Sequence, residues 1–173
     1  LDRVRELRRE VSVIRSRTED VMFLHQCIAS GALPQRVVHG DAKLDNALLD
    51  ARTDQAVCVI DLDTVMPGSL LHDLADSLRE LVLRCSTWGD FFSPSQAAQI
   101  EALVGGFVHS LSVAPTSEEI DAIVRATLSI TLELAMRFLT DYLLGGKTFH
   151  ATFPHEMAER ARQHLRLAQR LDD

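Results

Sequence analysis

Apolar residues recur at helical spacing through residues 1–30: Val4, Leu7, Val11 and Ile14, then Val21, Leu24 and Ile28. Gly31 and Pro34 stop that helical region. The period then shortens. Arg36–Val38, Ala47–Leu49 and residues 57–60 read as three short strands. Between the last two, the turn-like stretch 50–55 reads as the loop of a hairpin. After Gly68 the helical period returns and no further strand is evident.

Ser69 can cap a helix to about Cys85, with Leu70, Leu74, Leu78 and Leu81 on one stripe. A Trp-Gly-Asp-Phe-Phe loop, 88–92, leads to Ser93 and Pro94, the N-cap and first position of a helix to about Val113. Thr116 and Glu119 form a capping box. The helix they open should run to about Leu144 and end at Gly145 and Gly146. Its apolar residues (Ile120, Ile123, Val124, Leu128, Ile130, Leu132, Leu134, Phe138, Leu139, Leu143) cover most of its circumference, as in a buried central helix. Pro154 introduces a last amphipathic helix with Met157, Ala161, Leu165 and Ala168 inward. The expected fold class is mainly α with a small β-hairpin insert, in one domain over 1–173.

At 46% hydrophobic and 25% charged, the composition is that of a globular domain with a sizeable core. The net charge of −7, from 18 Lys+Arg against 25 Asp+Glu, argues against a nucleic-acid partner. The early arginines (Arg3, Arg5, Arg8, Arg9, Arg15, Arg17) alternate with acids and read as a solvated helix face. Cys27, Cys58 and Cys85 lie far apart among apolar neighbours, so they read as small core residues of a reducing, cytoplasmic compartment. No stretch approaches the roughly 20 apolar residues of a membrane span, and no signal peptide is expected. The chain opens without Met inside a helical pattern, so it is expected to be a fragment or a natural truncation.

The stretch “HGDAKLDN” at 39–46 sets five polar groups between two strand-like pieces that look buried. Its spacing is H-x-D followed by Asn five residues after the Asp, and kinases build their catalytic loop as H-R-D-x-x-x-x-N. In such a loop Asp41 would accept the proton of an attacking hydroxyl. Asn46 would reach a metal that bridges phosphates. Lys43 stands where many protein kinases place a lysine facing the transferred phosphoryl group. Alone the motif is weak, because loops collect Asp, Asn and Gly for turn reasons.

A second element adds weight. Asp61 follows a strand-like apolar run 15 residues beyond Asn46, and Mg2+ takes hard oxygen ligands from one or two carboxylates plus substrate phosphates. Asp63 is either a further metal group or a turn residue ahead of Pro67 and Gly68. Asp73, inside the next helix, could anchor the loop through its backbone N–H groups. His39 reads as a packed, hydrogen-bonded residue holding the loop in shape rather than as a base. The seven histidines show no zinc spacing, and no G-x-S-x-G elbow supports a hydrolase.

“HGDAKLDN” followed by “VIDLDTVMPGSLLHDLADSLR” resembles the aminoglycoside phosphotransferase and choline kinase superfamily, which has a protein-kinase-like fold. Within it the residues are most similar to the N-acetylhexosamine 1-kinase group. There the loop reads like H-[NG]-D-T-K-x-N-N and the next block like I-D-L-D-T-V-M-P-G. A late helix carries R-F-L-T-D-Y-L, here “RFLTDYLLGG” at 137–146. The resemblance implies Asp41 as general base, Asn46 and Asp61 as Mg2+ ligands, and ATP as phosphoryl donor. It makes Arg137 a sugar-side contact, against the alternative of a helix arginine paired with an acid.

Several residues depart from the group. Ala42 stands for its usual Thr, Asp45 for Asn, and His72 and Ala75 for Tyr and Gly. Residues 145–149 replace its G-D-x-Y-F, which leaves the acceptor open. The resemblance covers only the C-terminal lobe. No G-x-G-x-x-G and no strand-borne lysine precede the loop, so an N-terminal nucleotide-binding lobe is an expected partner and this chain alone is expected to be inactive. Two other readings stand beside a sugar kinase: transfer to an aminoglycoside, a choline-like alcohol or another metabolite, and a non-catalytic lobe that binds a partner or forms a homo-oligomer.

Overall fold

The computed structural model describes residues 2–85 and 93–172, which fall into two compact units. The expected loop at 88–92 lies outside the described residues. Unit 1 comprises Leu1–Phe23 and Leu128–Asp173, and unit 2 comprises Leu24–Thr127.

In unit 1 the early helical region is a series of short helices: α1 (Asp2–Glu6), α2 (Arg8–Ser16) and α3 (Thr18–Val21). The breaks fall at Leu7, Arg17 and Met22, within the region that the apolar spacing predicts to be helical. Ser16 Oγ and Thr18 Oγ1 donate back to the carbonyls of Val13 and Arg15, 2.8 and 2.9 Å away. Such side-chain bonds compete with the helical ladder. Arg17 is held across the break by Asp20 and Asp172 at 2.6 and 2.5 Å. These helices pack with the unit 1 part of α8 (Ile123–Leu144) and with α9 (Glu156–Asp172) around Leu7, Ile14, Leu132, Phe138, Met157 and Ala161.

In unit 2, α4 (Phe23–Ala29) ends at Gly31, whose φ of +76° suits glycine. Strand β1 (Arg36–Val38) pairs antiparallel with β4 (Met66–Gly68), and β2 (Ala47–Leu49) with β3 (Ala56–Val59). The β2–β3 hairpin matches the pattern to within one residue. The β4 strand was missed, because Met-Pro-Gly carries no strand signal. Proline is tolerated there since β4 pairs on one side only, with Val37 opposite Pro67. A side chain at Gly68 would stand 2.8 Å from Val38 Cγ2, so this pairing needs glycine for close approach.

Helix α5 (Leu70–Cys85) packs on β1 and on α6 (Pro94–Ser110), burying Leu71, Leu74, Ala75 and Leu78. The Ser93 cap is present, with its hydroxyl accepting from Gln96 N, and α6 ends three residues earlier than expected. The Thr116–Glu119 capping box forms, but α7 (Ser117–Asp121) and α8 are separate helices that break at Ala122. Ile120 and Val124, expected in the core, are exposed. Glu119 is fully buried, and its carboxylate also takes Arg36 of β1 at 2.6 Å.

All seven residues of β2 and β3 are exposed, so the pieces flanking the polar cluster are strands but not buried ones. Cys58 lies on this exposed ribbon rather than in a core, Cys27 is half-buried, and the Cys85 side chain is outside the described residues. Among the described residues no helix is long and apolar enough to cross a membrane.

Candidate active site

The loop after β1 turns on Gly40, at φ +80°. A Cβ added there would lie 2.6 Å from the Thr64 carbonyl oxygen, a separation that forces something to move. Thr64 Oγ1 in turn donates to the His39 carbonyl at 2.8 Å. The Asp73 carboxylate accepts the N–H groups of His39 and Gly40 at 2.8 and 2.9 Å. His39 Nδ1 accepts the Asp41 N–H at 3.2 Å, which leaves Nε2 as the protonated nitrogen, donating to Ile60 O at 2.9 Å. The imidazole thus stitches the loop to the end of β3.

Asn46 is buried at the end of a single 3₁₀ turn, Leu44–Asn46. Its carbonyl accepts the Ile60 N–H at 2.9 Å. Its Nδ2 donates to the Asp41 carbonyl at 2.8 Å and to Asp41 Oδ2 at 3.1 Å, which leaves Oδ1 unused by these bonds. Lys43 Nζ donates to the same Asp41 Oδ2 at 2.6 Å and lies 3.7 Å from Asp61 Oδ2. Asp61 adopts the left-handed conformation, φ 64° and ψ 54°, at the turn out of the strand. Short polar residues such as Asp visit that region more readily than most.

Burial pushes the Asp41 carboxyl up, but the hydrogen bond and charge of Lys43, with Asn46 donating as well, hold it below its ordinary value. The Lys43 ammonium is raised, first by its hydrogen bond to Asp41. Asp41 is therefore an ionised acceptor at neutral pH and Lys43 a fixed cation beside it.

Asp41, Lys43, Asn46 and Asp61 form one hydrogen-bonded and ion-paired group, with His39 and Asp73 bonded to its backbone. Asp63 stands apart, exposed in the 3₁₀ turn Leu62–Thr64, with no hydrogen bond among the described residues. Arg137 belongs to unit 1, where it is exposed with its guanidinium 5.5 Å over the Phe149 ring, and no carboxylate pairs with it among the described residues. The Gly145–Gly146 turn is closed by Asp141, whose Oδ1 accepts the N–H groups of Lys147 and Thr148 at 2.8 and 2.6 Å.

Among the described residues no three His, Cys, Asp or Glu side chains gather around one point as a metal cage. Two carboxylates do converge on the Lys43 ammonium, with the unused Asn46 Oδ1 nearby. That hard-oxygen set fits Mg2+, which typically keeps several waters and substrate phosphates rather than a full protein cage.

Ser77 and Glu80, which also bond to this loop, carry no motif of their own. The only signal for them is their spacing from Asp73 on one helix face.

One family model, described as a phosphotransferase enzyme family, matches residues 3–114 of the chain. A mainly helical architecture with small two-stranded antiparallel sheets accords with the protein-kinase-like fold.

Proposed function

Because the chain belongs to the phosphotransferase enzyme family, we propose that it carries the groups for ATP- and Mg2+-dependent phosphoryl transfer to a hydroxyl of a small molecule. The observation that carries this reading is the bridge from Asp41 through Lys43 to Asp61, spanning 2.6 and 3.7 Å.

In this mechanism Asp41 orients the acceptor hydroxyl and takes its proton as the oxygen attacks the terminal phosphorus of ATP, while the bond from that phosphorus to the bridging oxygen breaks and ADP leaves. Lys43 sits beside that carboxylate as a positive charge able to face the transferred group. Asn46 and Asp61 would hold Mg2+ together with the nucleotide phosphates, and the ion would supply neutralisation of phosphate charge. Catalysis here is positioning and preorganised electrostatics. Asp63, exposed in the Leu62–Thr64 turn and with no hydrogen bond among the described residues, is assigned to the turn.

We assign the acceptor as a sugar, an N-acetylhexosamine phosphorylated at its anomeric hydroxyl. Support comes from the resemblance of residues 137–146 to the helix of that group. An aminoglycoside or a choline-like alcohol would use the same chemistry.

The rival reading, a non-catalytic module or homo-oligomer, draws on the apolar β2–β3 ribbon, where Leu49, Val57 and Val59 are each more than half exposed. Isolated hairpins of this kind are marginal in water.

The test is transfer of label from γ-labelled ATP, with Mg2+, by the intact protein to N-acetylglucosamine, N-acetylgalactosamine, kanamycin and choline. Label in an N-acetylhexosamine 1-phosphate supports the reading. Label only in kanamycin or choline overturns the acceptor but keeps the chemistry. No label in any acceptor, with a stable dimer in solution, favours the rival.

A further inference from the structure

The catalytic loop is gripped from one helix at both ends, and the known anchor, Asp73, accounts for only one of them. Asp73 takes the N–H groups of His39 and Gly40, on the N-terminal side of Asp41. One turn on, Ser77 Oγ donates to the Ala42 carbonyl at 2.6 Å. A further turn on, Glu80 Oε2 accepts the Leu44 N–H at 2.5 Å. The spacing i, i+4, i+7 puts all three on one face of α5. Ser77 is buried, and Glu80 keeps only 14% of its side-chain exposure.

Glu80 is neutralised in place. Its Oε1 accepts Arg84 Nε and Nη2 at 3.1 and 2.8 Å, and Arg84 also pairs with Asp45 at 2.6 Å. A carboxylate that is largely removed from water and spent on a backbone N–H is expensive unless so compensated. The Glu80–Arg84 pair, at i,i+4, also supports the helix, but the bonds to Ala42 O and Leu44 N–H do not serve it. Their effect is to fix the backbone on the C-terminal side of Asp41 and at the start of the turn that presents Asn46.

We propose that Ser77 and Glu80 are positioning residues of the phosphotransferase site. Through Ala42 and Leu44 they set where the Asp41 carboxylate and the Asn46 amide stand relative to each other. This deepens the function proposed above and rests on it. The group that matters at Glu80 is an acceptor oxygen for Leu44 N–H, which an amide can also supply. The charge serves Arg84 and is secondary.

The experiment compares Glu80→Gln, Glu80→Ala and Ser77→Ala in the intact protein, reading kcat and KM for ATP and, separately, hydrogen exchange of the Leu44 amide. Misplacement of a catalytic group by about 1 Å can lower rate by roughly 10²-fold. Glu80→Ala should therefore lower kcat by about 10- to 100-fold with KM for ATP within about twofold. It should also release the Leu44 amide to exchange. Glu80→Gln should retain most of kcat and keep the amide protected. If Glu80→Ala does not fold, Ser77→Ala, which removes one bond and little volume, should show the same kcat loss at unchanged KM.

Wild-type kcat in Glu80→Ala, or in Ser77→Ala, would overturn the proposal. So would unchanged Leu44 exchange in Glu80→Ala, or a glutamine variant as impaired as alanine. If the wild-type protein transfers no phosphoryl group, the function proposed above has failed. The exchange arm then stands alone, and it overturns the proposal if Leu44 stays protected in Glu80→Ala.

Discussion

Asp41 and Asp61 converge on one cation: the Lys43 ammonium stands 2.6 Å from the first carboxylate and 3.7 Å from the second. Left unbridged, two such carboxylates would repel each other. The lysine makes the pair compatible with ionisation of Asp41 at neutral pH, and it marks a place where a cation is stabilised.

Replacing Lys43 by Met should raise the Asp41 carboxyl pKa from its depressed position, because burial remains while the hydrogen bond and charge that oppose it are gone. The sign for stability follows. A depressed carboxyl stabilises the fold above its unfolded pKa, and that contribution fades as pH falls through the folded value. The Lys43→Met protein should thus lose stability at neutral pH relative to wild type, and the difference should close in acid. Carboxyl carbon NMR titration checks the first point. An unmoved Asp41 midpoint would mean the lysine does not govern it.

Gly40→Ala tests the turn that aims Asp41. The left-handed φ of +80° and the 2.6 Å approach to Thr64 O both oppose a side chain. The left-handed conformation alone costs an alanine about 1–2 kcal/mol, and the clash adds to that. Urea unfolding should show a loss of at least that size, together with reduced phosphotransfer. A variant as stable as wild type would show that the turn is not so constrained.

The acid limb of stability should report Glu156. Its carboxylate accepts Thr152 N at 2.6 Å and Thr152 Oγ1 at 2.8 Å, with Arg160 at 2.6 Å, and these hold it down at about 2 from an ordinary 4.5. The depressed value means stabilisation that is complete above about 4.5 and lost as pH falls toward 2. Glu156→Gln should melt below wild type at pH 7, and the gap should shrink at the acid end of that window. Thermal melts followed by circular dichroism read this directly. An equal gap at both ends would place the role of Glu156 elsewhere than in its charge.

What the sequence made legible was mostly local. Caps at Ser93 and Thr116 and the glycine end at 145–146 depend on residues a few positions apart, and all are present. The H-x-D-x-x-x-x-N spacing brought Asp41, Lys43 and Asn46 together for the same reason. Long-range effects were harder to see. Met66–Gly68 became a strand only because β1 offered it an edge. Exposure of Leu49, Val57 and Val59 contradicts their apolar character, since nothing among the described residues covers the ribbon. Ser77 and Glu80 carry only the faint signal of their spacing from Asp73, because their partners are backbone groups 35 and 36 residues away. The break at Ala122 carries no proline or glycine signal, and we have no physical account of it.

The central claim is that Asp41 serves as the base for phosphoryl transfer, and Asp41→Asn tests it most directly. Asparagine keeps the shape and the capacity to accept from Lys43 and Asn46 but cannot take a proton. Steady-state transfer from γ-labelled ATP by the intact protein, at saturating Mg2+, should fall about 10²-fold or more. The circular dichroism spectrum and the melting transition should stay those of a folded protein. Turnover within a few fold of wild type in that folded variant would contradict the account and remove Asp41 from the mechanism.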